Sequence, residues 1–70
     1  MKQSEYLCDS CRHHRLEINN EKTIGEFLDD ATSPDGSLFE AKWLLANMEK
    51  EHVGCTNCHA HLRKVISSFL

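Results

Sequence analysis

The apolar positions of the chain fall into three helical patterns separated by polar punctuation. Ile24, Phe27, Leu28 and Ala31 recur at the spacing of one helix face, and Thr23-Ile24-Gly25-Glu26 ahead of them is a capping-box signature. Together they predict a short helix over residues 23–31. Leu38, Ala41, Leu44, Leu45, Met48 and His52 describe a second stripe, with Glu49, Lys50 and Glu51 mainly off it and Trp43 on its flank. Its start has two orthodox solutions. Either Ser33 is the N-cap with Pro34 at the first helical position, or Ser37-Leu38-Phe39-Glu40 is a second capping box. Gly54 is the expected terminator. A third pattern, Leu62, Val65, Ile66 and Phe69, predicts a helix over residues 56–69 with Arg63, Lys64, Ser67 and Ser68 on its other side.

Near the N-terminus, strand-like alternation is confined to Arg15-Leu16-Glu17-Ile18 and ends at the turn-forming Asn19-Asn20. A short strand or an extended arm is expected there. The expected fold class is therefore mostly α. It is a single small domain over residues 1–70, with about three helices and an N-terminal knuckle or short strand.

A chain of 70 residues buries a smaller fraction of its surface than a larger domain does, and scaffolds of this size commonly add disulfides or a structural metal. Four cysteines are available for that purpose, in two matched pairs: Cys8-Asp9-Ser10-Cys11 and Cys55-Thr56-Asn57-Cys58. No apolar run has the length of a signal peptide or a bilayer span, so a reducing cytoplasmic setting is expected, and there C-x-x-C pairs favour zinc over disulfides. Two intervening residues let both sulfurs of a pair converge on one point, and two pairs complete a tetrahedron. The expected cofactor is one Zn2+ per chain, held by Cys8, Cys11, Cys55 and Cys58.

The same cysteines admit other uses. Cys55-Thr56-Asn57-Cys58-His59 also reads as a c-type haem attachment motif, with Met48, His52 or His61 as a further axial ligand. That reading leaves Cys8 and Cys11 unexplained and finds few aromatic residues to line a haem crevice. Four small buried hydrophobes is the bland alternative, and chance rarely arranges four cysteines as two matched pairs. Every histidine lies near a cysteine pair in sequence, so a Cys3His site or a second metal is a variant of the same idea. The simpler assignment makes His13, His14 and His61 solvated or supporting groups. His52 and His59 are then hydrogen-bonding neighbours of the metal or alternative ligands.

A knuckle pair plus a pair opening a helix resembles treble-clef and related zinc-finger proteins. The resemblance covers the two motifs only. Forty-three residues separate Cys11 from Cys55, and this insert is helical where compact zinc modules carry a short β-hairpin. Over residues 49–65 the sequence EKEHVGCTNCHAHLRKV resembles the zinc-binding anti-sigma segment, in which a helix ends in a histidine and C-x-x-C opens the next. That family spaces the motif H-x3-C-x2-C, whereas here two residues lie between His52 and Cys55. The resemblance implies a small helical zinc protein whose apolar faces grip a protein partner, with a regulatory use in transcription.

Charge refines the choice of partner. The formal net charge is −3, and residues 21–51 alone carry eight acids against three lysines, a balance of −5. Such a middle disfavours general affinity for nucleic acid. A local basic patch of Arg12, His13, His14 and Arg15, extended by Arg63 and Lys64 if the metal joins the chain ends, keeps a nucleic-acid-binding module as an alternative. A solvated basic rim is the plainer account of those residues. Catalysis is not expected, because four thiolates close the metal shell and no phosphate loop, nucleophile elbow or thioredoxin-like pattern is present. A protein-binding regulator or adaptor follows, with Phe39, Trp43 and Leu70 as surplus apolar surface that a partner or a second copy would cover. No membrane association is expected.

Overall fold

A computed structural model describes residues 3–69. A 3-10 turn at Gln3–Tyr6 leads into α1 (Asp9–His13), α2 (Ile24–Ala31), α3 (Leu38–Lys50) and α4 (Thr56–Ser68). Leu70, expected to add exposed apolar surface, lies outside the described residues. Among the described residues the fold is mostly α and contains no strand. Helix α1 takes the place where a loop knuckle was expected from the sequence. In place of a strand, the arm that follows α1 is joined to Thr23 by one antiparallel bridge at Arg15 and then bends at Glu17 and Ile18.

Local chemistry accounts for the helix limits. Both halves of the capping box form at α2: the Glu26 amide donates to Thr23 Oγ1, and the Thr23 amide donates to Glu26 Oε1, each at 3.2 Å. At α3 the ambiguous start resolves to Ser37, whose hydroxyl accepts the Glu40 amide at 3.4 Å. Ser33 and Gly36 close a turn instead, through a 2.9 Å bond from the Gly36 amide to the Ser33 carbonyl.

The end of α3 differs from the expected stop at Gly54. The Val53 amide donates to the Met48 carbonyl and the His52 amide to the Glu49 carbonyl, the paired bonds of a Schellman motif, with His52 at φ 57° in the position glycine usually takes. A β-carbon in the left-handed region crowds the following carbonyl. His52→Gly is therefore expected to stabilise the protein by about 0.5–1 kcal/mol, less the extra chain entropy of glycine. A rise of a few degrees in Tm would register it, and an unchanged or lower Tm would show that the imidazole makes a compensating contact.

The core draws on all four helices. Leu7, Cys11, Leu16, Ile24, Leu28, Leu44, Met48, Cys58, Leu62 and Val65 form one buried cluster. Each of its fully buried aliphatic side chains is worth about 1.5–3 kcal/mol relative to exposure. Helix α2 is central, packing on α3, on α1 and on the 3-10 turn, while α4 packs on α3. Gly25 permits the α1 contact, because a β-carbon there would lie 2.8 Å from Arg12 Cγ and 3.0 Å from the Arg12 carbonyl oxygen.

Polar clasps secure the long-range joints. Asp29 of α2 accepts the Ser4 amide at 3.0 Å and the Ser4 hydroxyl at 2.8 Å. The Glu51 carboxylate accepts the Glu17 and Ile18 amides at 2.7 and 3.2 Å, holding the arm against the end of α3. His61 Nε2 donates to the Gln3 carbonyl at 3.2 Å, and its ring lies 5.2 Å from that of Tyr6, tying α4 to the N-terminal turn. These joints bring the first and last helices, and with them the two cysteine pairs, to one place.

Candidate metal centre

Each C-x-x-C occupies the same position on its helix. Cys8 is the N-cap of α1 and Cys11 its third residue, and Cys55 and Cys58 hold the corresponding places on α4. One turn of helix returns the third residue to the side of the cap, so both sulfurs of a pair face the same point. The four Sγ atoms lie within 4.8 Å of one another. Cys55 and Cys58 are 3.2 Å apart, Cys8 and Cys58 3.7 Å, and Cys8 and Cys55 3.9 Å. A tetrahedral ion with metal–sulfur bonds of about 2.3 Å needs sulfur–sulfur edges of about 3.8 Å, so these distances bracket the requirement. All four are free thiols. Such a cluster could hold a metal ion.

The backbone repeats the symmetry of the side chains. The Cys8 amide donates to Cys58 Sγ at 3.5 Å, and reciprocally the Cys55 amide donates to Cys11 Sγ at 3.3 Å. Each N-cap carbonyl also accepts the first helical bond, from Arg12 to Cys8 at 2.9 Å and from His59 to Cys55 at 3.0 Å. The two turns are thus related by an approximate two-fold, with Cys11 and Cys58 buried inside and Cys8 and Cys55 exposed outside. Amide donors aimed at sulfur favour thiolate, the form that binds metal.

The thiols are electrostatically unequal. Burial pushes Cys58 up to about 12 and raises Cys11, whereas the Cys58 amide, then the Cys58 thiol, bring exposed Cys55 down to about 7. A divalent ion would override this spread, because its charge holds coordinating thiols deprotonated.

The histidines stand outside the sulfur cluster. His59 Nε2 donates to the Val53 carbonyl at 2.8 Å, bracing the Val53-Gly54-Cys55 entry to α4. That bond commits the nitrogen that the c-type haem reading would place on iron. His52 is exposed at the end of α3, and among the described residues only the four cysteines form a metal-sized group. Gly54 makes the tight entry feasible. It has φ 92°, and a β-carbon there would meet Met48 Cε at 2.6 Å and His59 Nε2 at 2.8 Å.

Of the basic residues Arg12, Arg15, Arg63 and Lys64, two face acids. Arg12 pairs with Asp9 one turn away on α1, and Arg63 of α4 lies 3.9 Å from Glu49 of α3. Arg12, His13 and Arg15 line a shallow depression that also contains Glu26 and Asp29. Lys64 is exposed.

Sequence reasoning missed the reciprocal amide bonds and a second surface feature. Between α2 and α3 lies a groove of about 650 Å³ lined by Phe27, Phe39 and Trp43 together with Lys22, Asp30, Asp35 and Glu40. Exposed aromatics and an acidic middle were both legible, but their juxtaposition was not. No helix among the described residues is long and apolar enough to cross a membrane. Comparison with protein-family models, with curated proteins and with solved structures finds no match to this chain.

Proposed function

We propose that the chain is a non-enzymatic protein-binding regulator or adaptor whose fold is stapled by one Zn2+ held by Cys8, Cys11, Cys55 and Cys58. The observation that carries the metal reading is the convergence of four thiols, from positions up to fifty apart in the chain, at sulfur separations suited to a tetrahedral ion. Four soft ligands select zinc over calcium or magnesium, which take oxygen. With the shell closed by cysteine, no position remains for a catalytic water, and the ion acts as a structural joint.

The adaptor part is supported by surface the core does not use. Phe39 is 79 % exposed and Ile18 59 %, more apolar display than a domain this small needs for its own packing. A nucleic-acid-binding use of Arg12, Arg15, Arg63 and Lys64 is less well supported, since Arg12 and Arg63 already face carboxylates and the middle of the chain is acidic.

Elemental analysis of protein purified without added metal tests the staple. One zinc per chain, with all four thiols unreactive until a chelator is added, is the expected result. Absence of bound metal together with a stable helical spectrum would overturn it.

A further inference from the structure

We propose that the α2–α3 groove is the docking site for a basic segment of a partner protein, which lays a lysine or arginine side chain across Trp43 and Phe39 with its charge toward Asp30, Asp35 and Glu40. This rests on the protein-binding reading above and names its surface and the chemistry of the partner.

The floor of the groove is aromatic. The Phe27 and Trp43 rings pack against each other with centroids 5.3 Å apart at 56°, which holds the indole in place, and Phe39 stands nearby almost fully in solvent. Cations are attracted to aromatic faces, tryptophan most strongly, and the aliphatic stems of lysine and arginine cover apolar surface while the charged head stays wet.

The rim supplies the opposite charge. Asp30 and Glu40 flank the aromatics on α2 and α3, and Asp35 stands on the turn between them. Lys22 is the one basic residue in the lining, and it already pairs with Asp30. Its own pKa is raised by the hydrogen bond and charge of Asp30, with smaller contributions from Glu26 and Glu40, which reports a negative field at this rim. Among the described residues neither Asp35 nor Glu40 has an ion-pair partner within 4.0 Å. An acidic or purely apolar occupant would leave these carboxylates repelled or desolvated, whereas a basic one answers them.

Trp43 is the only tryptophan in the chain, so its fluorescence reports on this groove directly. Hexa-arginine titrated into the zinc-loaded protein should change that emission saturably, and less so as salt rises from about 0.05 to 0.5 M. Hexa-glutamate should have no effect. Asp35→Asn with Glu40→Gln should weaken hexa-arginine binding about ten-fold, and Phe39→Ala about five-fold, while Glu5→Gln outside the groove leaves it unchanged. All these side chains are exposed, and circular dichroism of each variant checks that the fold is retained.

No saturable change with hexa-arginine, or equal weakening by Glu5→Gln and the groove variants, would overturn the assignment. So would self-association at the same concentrations that Phe39→Ala abolishes, since a second copy would then be the occupant. Zinc content measured on the same samples separates the two ideas. A fully loaded protein whose groove ignores hexa-arginine refutes the docking site and leaves the staple standing, whereas a metal-free folded protein refutes the staple whatever the groove does.

Discussion

Cys55→Ser should unfold the protein, with loss of the helical far-UV signal and of bound metal together. This variant discriminates better than one at the buried Cys11 or Cys58 would. The Cys55 side chain is exposed, so its replacement creates no cavity and buries no hydroxyl. Cys55 is also the N-cap of α4, where serine is among the preferred residues, so in a chain held together without metal the substitution would be neutral or mildly stabilising. The metal reading predicts the opposite sign. Structural zinc contributes roughly 10–16 kcal/mol in small zinc-dependent peptides, comparable with or larger than the whole stability of a typical domain. Losing one of four ligands should therefore cost several kcal/mol, and chelation of the parent protein should reproduce the effect. A Cys55→Ser protein that kept its spectrum and its Tm would end the case for a metal joint.

The dependence on pH follows from the same residues. Cys55, lowered from 9.0 to about 7 even without an ion, contributes stability that is fully present above pH 9 and is lost as pH falls through 7. A bound ion would extend that direction to the buried thiols of Cys11 and Cys58, which burial otherwise raises, Cys58 to about 12, because it holds coordinating thiols deprotonated. Acidification should accordingly release zinc and unfold the chain in one step. Metal content and ellipticity followed against pH should give superimposable curves.

The second large effect is expected at a residue that touches no metal. Gly54→Ala should destabilise the protein by about 2–4 kcal/mol, the sum of forcing a β-carbon into a positive-φ conformation and of crowding a filled site. The atoms it would strike are Met48 Cε, on a fully buried side chain, and His59 Nε2, whose bond to the Val53 carbonyl shapes the approach to Cys55. Relief of the clash would displace a buried methyl group and the imidazole that braces the turn. The shift in urea midpoint at constant m-value would measure the loss. A change under about 0.5 kcal/mol would mean that the entry to α4 tolerates another path.

Both predictions turn on the few residues between α3 and α4, where the sequence was least sufficient. Gly54 reads as a helix terminator and does adopt a positive φ, yet α3 is closed earlier, by His52. Glycine propensity records only what a position permits. The position actually used depends on the Met48 and Val53 contacts that the core imposes, and a local pattern does not contain them.

Much else was local and therefore legible. The stripes of α2, α3 and α4, the capping box at Thr23 and the alternative cap at Ser37 rest on interactions between residues three or four apart, and each helix starts within a residue of where these signals place it. The C-x-x-C spacing is local in the same sense, and it marks two sulfur pairs wherever they lie. The two matched pairs led to the expectation that all four sulfurs meet, as they do, but the chain alone did not determine that each cap amide reaches the opposite sulfur, that His59 turns to a carbonyl, or that Phe27, Trp43 and three carboxylates share one groove. Those facts depend on how α2 seats between α1 and α3, through Gly25, Leu28 and the Ser4–Asp29 clasp. Periodicity shows which face of each helix is apolar, and only the packing of those faces against one another decides which distant side chains become neighbours.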